Sequence, residues 1–276
     1  MSNRLIGYQP GRGFLYDLSG ASKMLFFILV SVACMATYDP RFILALGLLS
    51  IYLFNLANIC WRDISFVVKI IGSIALFNLL MVYLFAPSYG EEIYGAKTVL
   101  IEGWGRFYLT SQELFYLANL LLKYFSTVPL AILFLMTTHP SQFAASLNQI
   151  GIPYKFAYSV SLTLRYIPDI QEEFFTIRKA QEARGLDLSQ KAGLVKRIRG
   201  NLQIVLPLIF SSLERIDTVS TAMELRRFGQ YKKRTWYVHK SLTKQDYLVI
   251  VSATLLLGIS LELIYLNHGR FYNPWI

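Results

Sequence analysis

Apolar runs of about 20 residues recur along this chain, and no other feature constrains its fold as tightly. That is the length at which an α-helix crosses a hydrocarbon core of roughly 30 Å. Inside such a core only helices and closed barrels satisfy every backbone amide and carbonyl. Five runs read as spans: about Met24–Tyr38 (short unless the helix begins at Gly20), Phe42–Ile59, Ile64–Ala86, Glu113–Met136 and Tyr247–Leu266. Composition agrees, with 54% hydrophobic and 16% charged residues, where a soluble domain carries roughly 25% charged. Intrinsic disorder is excluded on the same grounds. The expected fold class is therefore all-α, a polytopic membrane protein with about five transmembrane helices. No small-residue cleavage pattern follows the first run, so no cleavable signal is expected. Cys34 and Cys60 sit in or beside apolar runs and read as buried thiols, not as a disulfide or metal site. Lys69 lies near enough to a span end to snorkel. Lys123 lies within a span and is flagged as a possible ion path.

Charge is distributed unevenly between the connections. Residues 139–243 hold sixteen Lys and Arg against eight Asp and Glu, whereas the polar, Gly-rich connection Pro87–Thr110 holds two against three. Cytoplasmic connections favour Lys and Arg, so residues 139–243 are expected in the cytoplasm and the Pro87–Thr110 connection outside. Five spans then put the N-terminus inside, where Arg4, Arg12 and Lys23 agree, and the C-terminus outside. Three parts follow: 1–138 with the N-terminal segment and four spans, 139–243 as a polar helical part, and 244–276 with the last span and tail.

The polar part reads as consecutive helices. A short amphipathic one starts at His139-Pro140-Ser141 and stops at Gly151 and Pro153. A long one covers about Tyr154 to Arg184, and Gly185 is placed to close it in the left-handed conformation. Another covers about Ala192 to Arg227, with Leu194, Ile198, Leu202, Val205, Ile209 and Leu213 recurring every three or four residues. Pro168 and Pro207 should kink the two long helices. Both share one plan: apolar entry, internal proline, charged second half, arginine near the end, and a glycine stop.

No catalytic constellation is present. The three histidines are far apart, and HExxH, GK[ST] phosphate loops and GxSxG are absent. Asp169, Glu172 and Glu173 read as a solvated helix start rather than acid/base groups. Lys232-Lys233-Arg234 before Trp236 and Tyr237 reads as an interfacial anchor rather than a nucleic-acid site. The helix ends are more informative. Gln181-Glu182-Ala183-Arg184-Gly185 and Ala222-Met223-Glu224-Leu225-Arg226-Arg227-Phe228-Gly229 each present an arginine at a helix terminus. A cation there favours the helix dipole, but a guanidinium can also fork onto a partner's carboxylate. Two such ends in tandem, in a chain without catalytic residues, favour docking.

The run from Arg165-Tyr166-Ile167-Pro168 to Ala183-Arg184-Gly185, and from Leu206-Pro207 to Phe228-Gly229, resembles the transmembrane T component of energy-coupling factor (ECF) vitamin and metal importers. Tyr8-Gln9-Pro10-Gly11, Leu18 and Lys23 are similar to that family's opening signature. The resemblance implies a cytoplasmic coupling domain of long proline-kinked helices and a cell-membrane location. It implies two partner ATP-binding subunits, which hold the ATP and Mg, while this chain binds no cofactor and catalyses nothing. It also implies a separate substrate-binding membrane subunit, the S component. Carried residue by residue, the first ATPase-coupling motif is Ala183, Arg184 and Gly185. The second is Leu225, Arg226 and Arg227, where Leu225 and Arg227 depart from the family's small residues. The implied function is coupling of ATP hydrolysis to reorientation of the S component for uptake of a vitamin, related micronutrient or metal ion. A stand-alone secondary transporter or channel is the alternative, and a membrane enzyme a further one. Inverted repeats, broken spans and a catalytic cluster are not visible in the sequence.

Overall fold

The computed structural model describes residues 11, 13–59, 61–101, 108–185, 194–231, 235–236 and 240–275. Tyr8-Gln9-Pro10, Arg12, Cys60, Trp104, Lys191, Lys232-Lys233-Arg234, Tyr237 and His239 lie outside them. The chain forms two compact units, one of residues 1–142 with 240–276 and the other of residues 143–239.

The first unit is a helical bundle. After the single turn α1 (Phe14–Asp17) come α2 (Gly20–Ala36), α3 (Pro40–Leu56), α4 (Trp61–Phe85), α5 (Tyr89–Tyr94), the strands β1 (Val99–Ile101) and β2 (Leu109–Thr110), and α6 (Ser111–Thr137). The last helix, α10 (Lys244–Leu266), returns to pack along α2. α4, α6 and α10 are long and apolar enough to cross a membrane; α2 and α3 are apolar but have 17 residues each. α2 begins at Gly20, and Ser19 caps it by accepting from the Ser22 amide. Among the described side chains of α4 only Ile64 and Ala75 are buried, and Phe66, Ile70, Ile74, Phe77 and Leu80 are exposed. A helix that is apolar all round and uncovered by protein fits lipid.

One core cluster joins Val30, Ala33 and Cys34 of α2 to Phe42, Ile43 and Leu46 of α3, Leu130 of α6 and Ala253 of α10. Cys34 is a free, buried thiol there. α3 and α6 approach closely where Gly47 faces Ser126, whose hydroxyl donates to the Ile43 carbonyl at 2.8 Å. Small residues at such a crossing are the usual means of helix association in lipid.

Two buried lysines close helix ends reciprocally. Lys23, at the start of α2, donates to the carbonyl of Thr137, the last residue of α6, at 2.9 Å. Lys123 of α6 donates to the Met35 carbonyl in the last turn of α2 at 3.0 Å and lies 3.2 Å from the Tyr38 ring centroid. Each cation meets unsatisfied carbonyls at the negative end of a helix dipole. Lys123 therefore has a structural explanation in place of an ion path.

At the start of α10, Asp246 accepts from the Ser19 amide (2.7 Å), the Ser22 hydroxyl (2.5 Å) and both the amide and hydroxyl of Thr243 (2.7 Å each). It thus completes a capping box with Thr243 and ties α10 to the start of α2. The described residues of the Pro87–Thr110 connection are held in place by specific contacts. Gly90 lies against α6, where a Cβ would come within 2.6 Å of the Glu113 nitrogen, and its amide donates to Glu113 Oε2 at 2.8 Å. The C-terminal tail then folds back over this end. Tyr38 donates its amide to the Arg270 carbonyl at 2.7 Å, and Trp275 packs 5.3 Å from the Tyr94 ring. Burial pushes the Tyr94 phenol up to about 12, so it stays neutral.

The second unit contains α8 (Tyr154–Ala183), α9 (Leu194–Leu225) and most of α7 (Pro140–Gln149). His139 Nδ1 accepts from the Ser141 amide at the entry to α7. Both long helices run unbroken through their prolines, which deprive the carbonyls of Leu164 and Gln203 of an amide partner.

Candidate functional site

α8 and α9 pair antiparallel, and the rungs are specific. Glu173 of α8 accepts from Arg215 of α9 at 2.9 Å and from the Ser211 hydroxyl. Asp169 lies 3.9 Å from the same guanidinium. One end of the pair is closed by Phe228, whose ring centroid lies 5.3 Å from that of Tyr154 and 4.7 Å from that of Tyr158. The carboxylates following Pro168 are thus not at a helix start. They sit mid-helix, and Glu173 holds the two long helices together. This link was not legible in the sequence, because Glu173 and Arg215 are 42 residues apart.

Antiparallel pairing puts the two arginine ends far from each other. The α9 end rests on the first turns of α8, whereas Arg184 follows the last residue of α8. α8 has 30 residues, so at 1.5 Å per residue the ends are separated by about 45 Å.

The two ends share one backbone plan. Ala183 is the last helical residue of α8, Arg184 caps it at φ −82°, and Gly185 is left-handed at φ +90°. Leu225 is the last helical residue of α9, Arg226 follows, and Arg227 is left-handed at φ +53°. In α9 the Arg227 amide bonds the Glu224 carbonyl at 2.8 Å and the Phe228 amide bonds the Met223 carbonyl at 2.9 Å. These are the two bonds of a Schellman closure. In α8 the Gly185 amide makes the corresponding bond to the Glu182 carbonyl at 3.0 Å. Arg227 therefore occupies the position that glycine holds in the first motif, at the steric cost a Cβ brings to that conformation. Ala183, Arg184, Gly185, Leu225, Arg226 and Arg227 are all exposed.

Between the helices lies an open groove of about 380 Å³, lined by Leu162, Tyr166, Ile170, Ile216, Val219 and Met223. Beside it α9 leaves Ile198, Leu202, Leu206, Ile209, Phe210 and Leu213 exposed. Among the described residues no group of three or more His, Cys, Asp or Glu could hold a metal ion. What this unit offers is cationic helix ends and apolar surface.

Residues 12–237 match the family CbiQ, described as a cobalt transport protein. The chain belongs to the CbiQ family. It is 30% identical over 271 residues to an energy-coupling factor transporter transmembrane protein EcfT of Exiguobacterium sibiricum, covering 94% of this chain and 97% of the relative. The EcfT protein of Lactococcus lactis subsp. cremoris is 26% identical over 265 residues, covering 93% and 96%. That of Staphylococcus aureus is 24% identical over 281 residues, covering 98% and 99%. This CbiQ-family chain is thus the transmembrane component of an ECF transporter, a multi-pass transport subunit. Both arginine ends fall within the matched residues.

Proposed function

We propose that this T component couples ATP hydrolysis in two cytoplasmic ATP-binding subunits to movement of a separate substrate-binding membrane subunit. The observation that carries the proposal is the pair of exposed arginines, Arg184 and Arg226, at opposite ends of one antiparallel helix pair. A separation of about 45 Å gives each ATP-binding subunit its own end to grip. The helix pair, tied at its middle by Glu173 and Arg215, carries displacement of either end to the other. The groove and the exposed apolar face of α9 supply a seat for the S component. ATP and Mg belong to the partners, and the cargo is a vitamin, related micronutrient or metal ion held by the S component. The N-terminus and residues 139–243 face the cytoplasm and the C-terminus faces outside, which puts both ends where ATP is available.

The test is capture of partners by the tagged full-length chain from its native membrane, with identification by mass. Two ATP-binding chains and one small integral membrane chain are expected. Arg184→Glu and Arg226→Glu should each weaken retention, because breaking a buried charge pair costs roughly 2–5 kcal/mol and the reversed sign adds repulsion. If the chain alone, reconstituted without ATP-binding subunits, drives solute uptake, the stand-alone transporter reading replaces this one.

A further inference from the structure

The two ends differ in how they are held. Beyond Arg227, the Phe228 ring packs on Tyr154 and Tyr158, and the Gly229 amide donates to Tyr154 Oη at 3.2 Å. Gly229 is itself left-handed at φ +88°, and a Cβ there would lie 3.1 Å from Lys155 Cε. Tyr154 and the neighbouring Ala157 are buried. Trp236 donates from Nε1 to Asn148 Oδ1 at 3.1 Å, while Asn148 Nδ2 donates to the Ile152 carbonyl at 2.9 Å. The end of α9 is thereby fastened to the turn between α7 and α8. At the other end, among the described residues and apart from its chain neighbours, nothing lies within 4 Å of a Cβ built on Gly185. Among the described residues the side chain of Arg184 makes no ion pair or hydrogen bond.

We infer that Phe228 and Tyr154 are positioning residues that hold the second arginine motif in a fixed pose for its ATP-binding subunit. The inference rests on the docking role proposed above. A chain end that must be ordered on binding loses conformational freedom, and that loss subtracts from affinity. The Phe228 clasp removes part of the loss beforehand at the backbone of Arg226 and Arg227. It also holds Arg227 in a conformation that L-residues avoid, so the clasp explains how an arginine persists where the first motif has glycine. Displacement of the second ATP-binding subunit then passes through Tyr154 to the first turn of α8, and not only along α9.

The experiment uses the full chain in lipid nanodiscs and, as the probe, the ATP-binding subunits that co-purify with the wild-type chain. Phe228→Ala should weaken binding about tenfold. Tyr154→Phe, which keeps the ring but loses the Gly229 contact, should weaken it about threefold. Phe228→Tyr should stay within twofold of wild type. A second readout is the distance between nitroxides at Lys179 and Leu225, measured without partners. It should be narrowly distributed in the wild type and in Phe228→Tyr, and should broaden in Phe228→Ala at unchanged helix content. Should Phe228→Ala fail to fold, Tyr154→Phe carries the test alone. Wild-type binding or an unbroadened distance in the clasp variants overturns the inference, and if Arg226→Glu still abolishes binding, the docking role survives without it. Wild-type binding by Arg226→Glu would instead remove the docking role itself.

Discussion

Exchanging the left-handed residues of the two ends should change their stabilities with opposite signs. Gly185 and Arg227 occupy the same place after their helices, at φ +90° and +53°. The left-handed region costs an L-residue roughly 1–2 kcal/mol, whereas glycine enters it freely but gives up roughly 0.5–1 kcal/mol more chain entropy. Arg227→Gly should therefore gain about 0.5–1 kcal/mol at the end of α9. Gly185→Val should lose about 1 kcal/mol or more, since a β-branched residue tolerates this region least. The Gly185 figure carries no steric correction, because among the described residues beyond its chain neighbours nothing lies within 4 Å of an added Cβ. The assay is amide hydrogen exchange on the full chain in nanodiscs. It follows the bonds from the Gly185 amide to Glu182, and from the Arg227 and Phe228 amides to Glu224 and Met223. A kcal/mol is about fivefold in protection. Exchange should quicken about fivefold at residue 185 in Gly185→Val and slow about two- to fivefold at residues 227–228 in Arg227→Gly. Changes of the same sign at both ends would refute the equivalence of the two positions.

Other expectations concern the scaffold. Asp246→Ala leaves the Ser19 and Thr243 amides and two hydroxyls without their shared acceptor, and should cost about 3 kcal/mol, seen as a lower thermal midpoint in detergent. Glu173→Gln should loosen the helix pair by no more than about 1 kcal/mol, because both partners are partly exposed. Uptake by the complex should persist, and its abolition at normal assembly would revive a chemical role for Glu173. In a cysteine-free background, a cysteine at Gly95 should react with an impermeant maleimide on intact cells and one at Gln181 only after permeabilisation. Labelling of both from one side would reject the five-span arrangement.

What the sequence determines here is local or periodic. The span α4 is legible because a 22-residue, predominantly apolar stretch admits one secondary structure in lipid. The stripe on α9 is legible because period 3.6 is a property of the chain alone. Gly185 announces its own left-handed turn because only glycine takes it without cost. The equivalence of Arg227 with Gly185 could be aligned from the motif, but its backbone conformation could not be read from an arginine.

Tertiary structure decides the rest, because the deciding partners are distant in sequence. Lys123 looked unpaired since its acceptor is the Met35 carbonyl, 88 residues away, and a backbone carbonyl leaves no signature in composition. Asp246 could be read as a capping acid near Thr243, but its hold on Ser19 spans 227 residues. Asp169 and Glu173 read as surface charge until α9 brings Arg215 beside them. The turn at Gly90 can sit against α6 only because Gly90 has no side chain to keep it off. In each case the residue type permits several partners of equal chemistry, and the packing of helices far apart in the chain selects one by bringing it within about 3 Å.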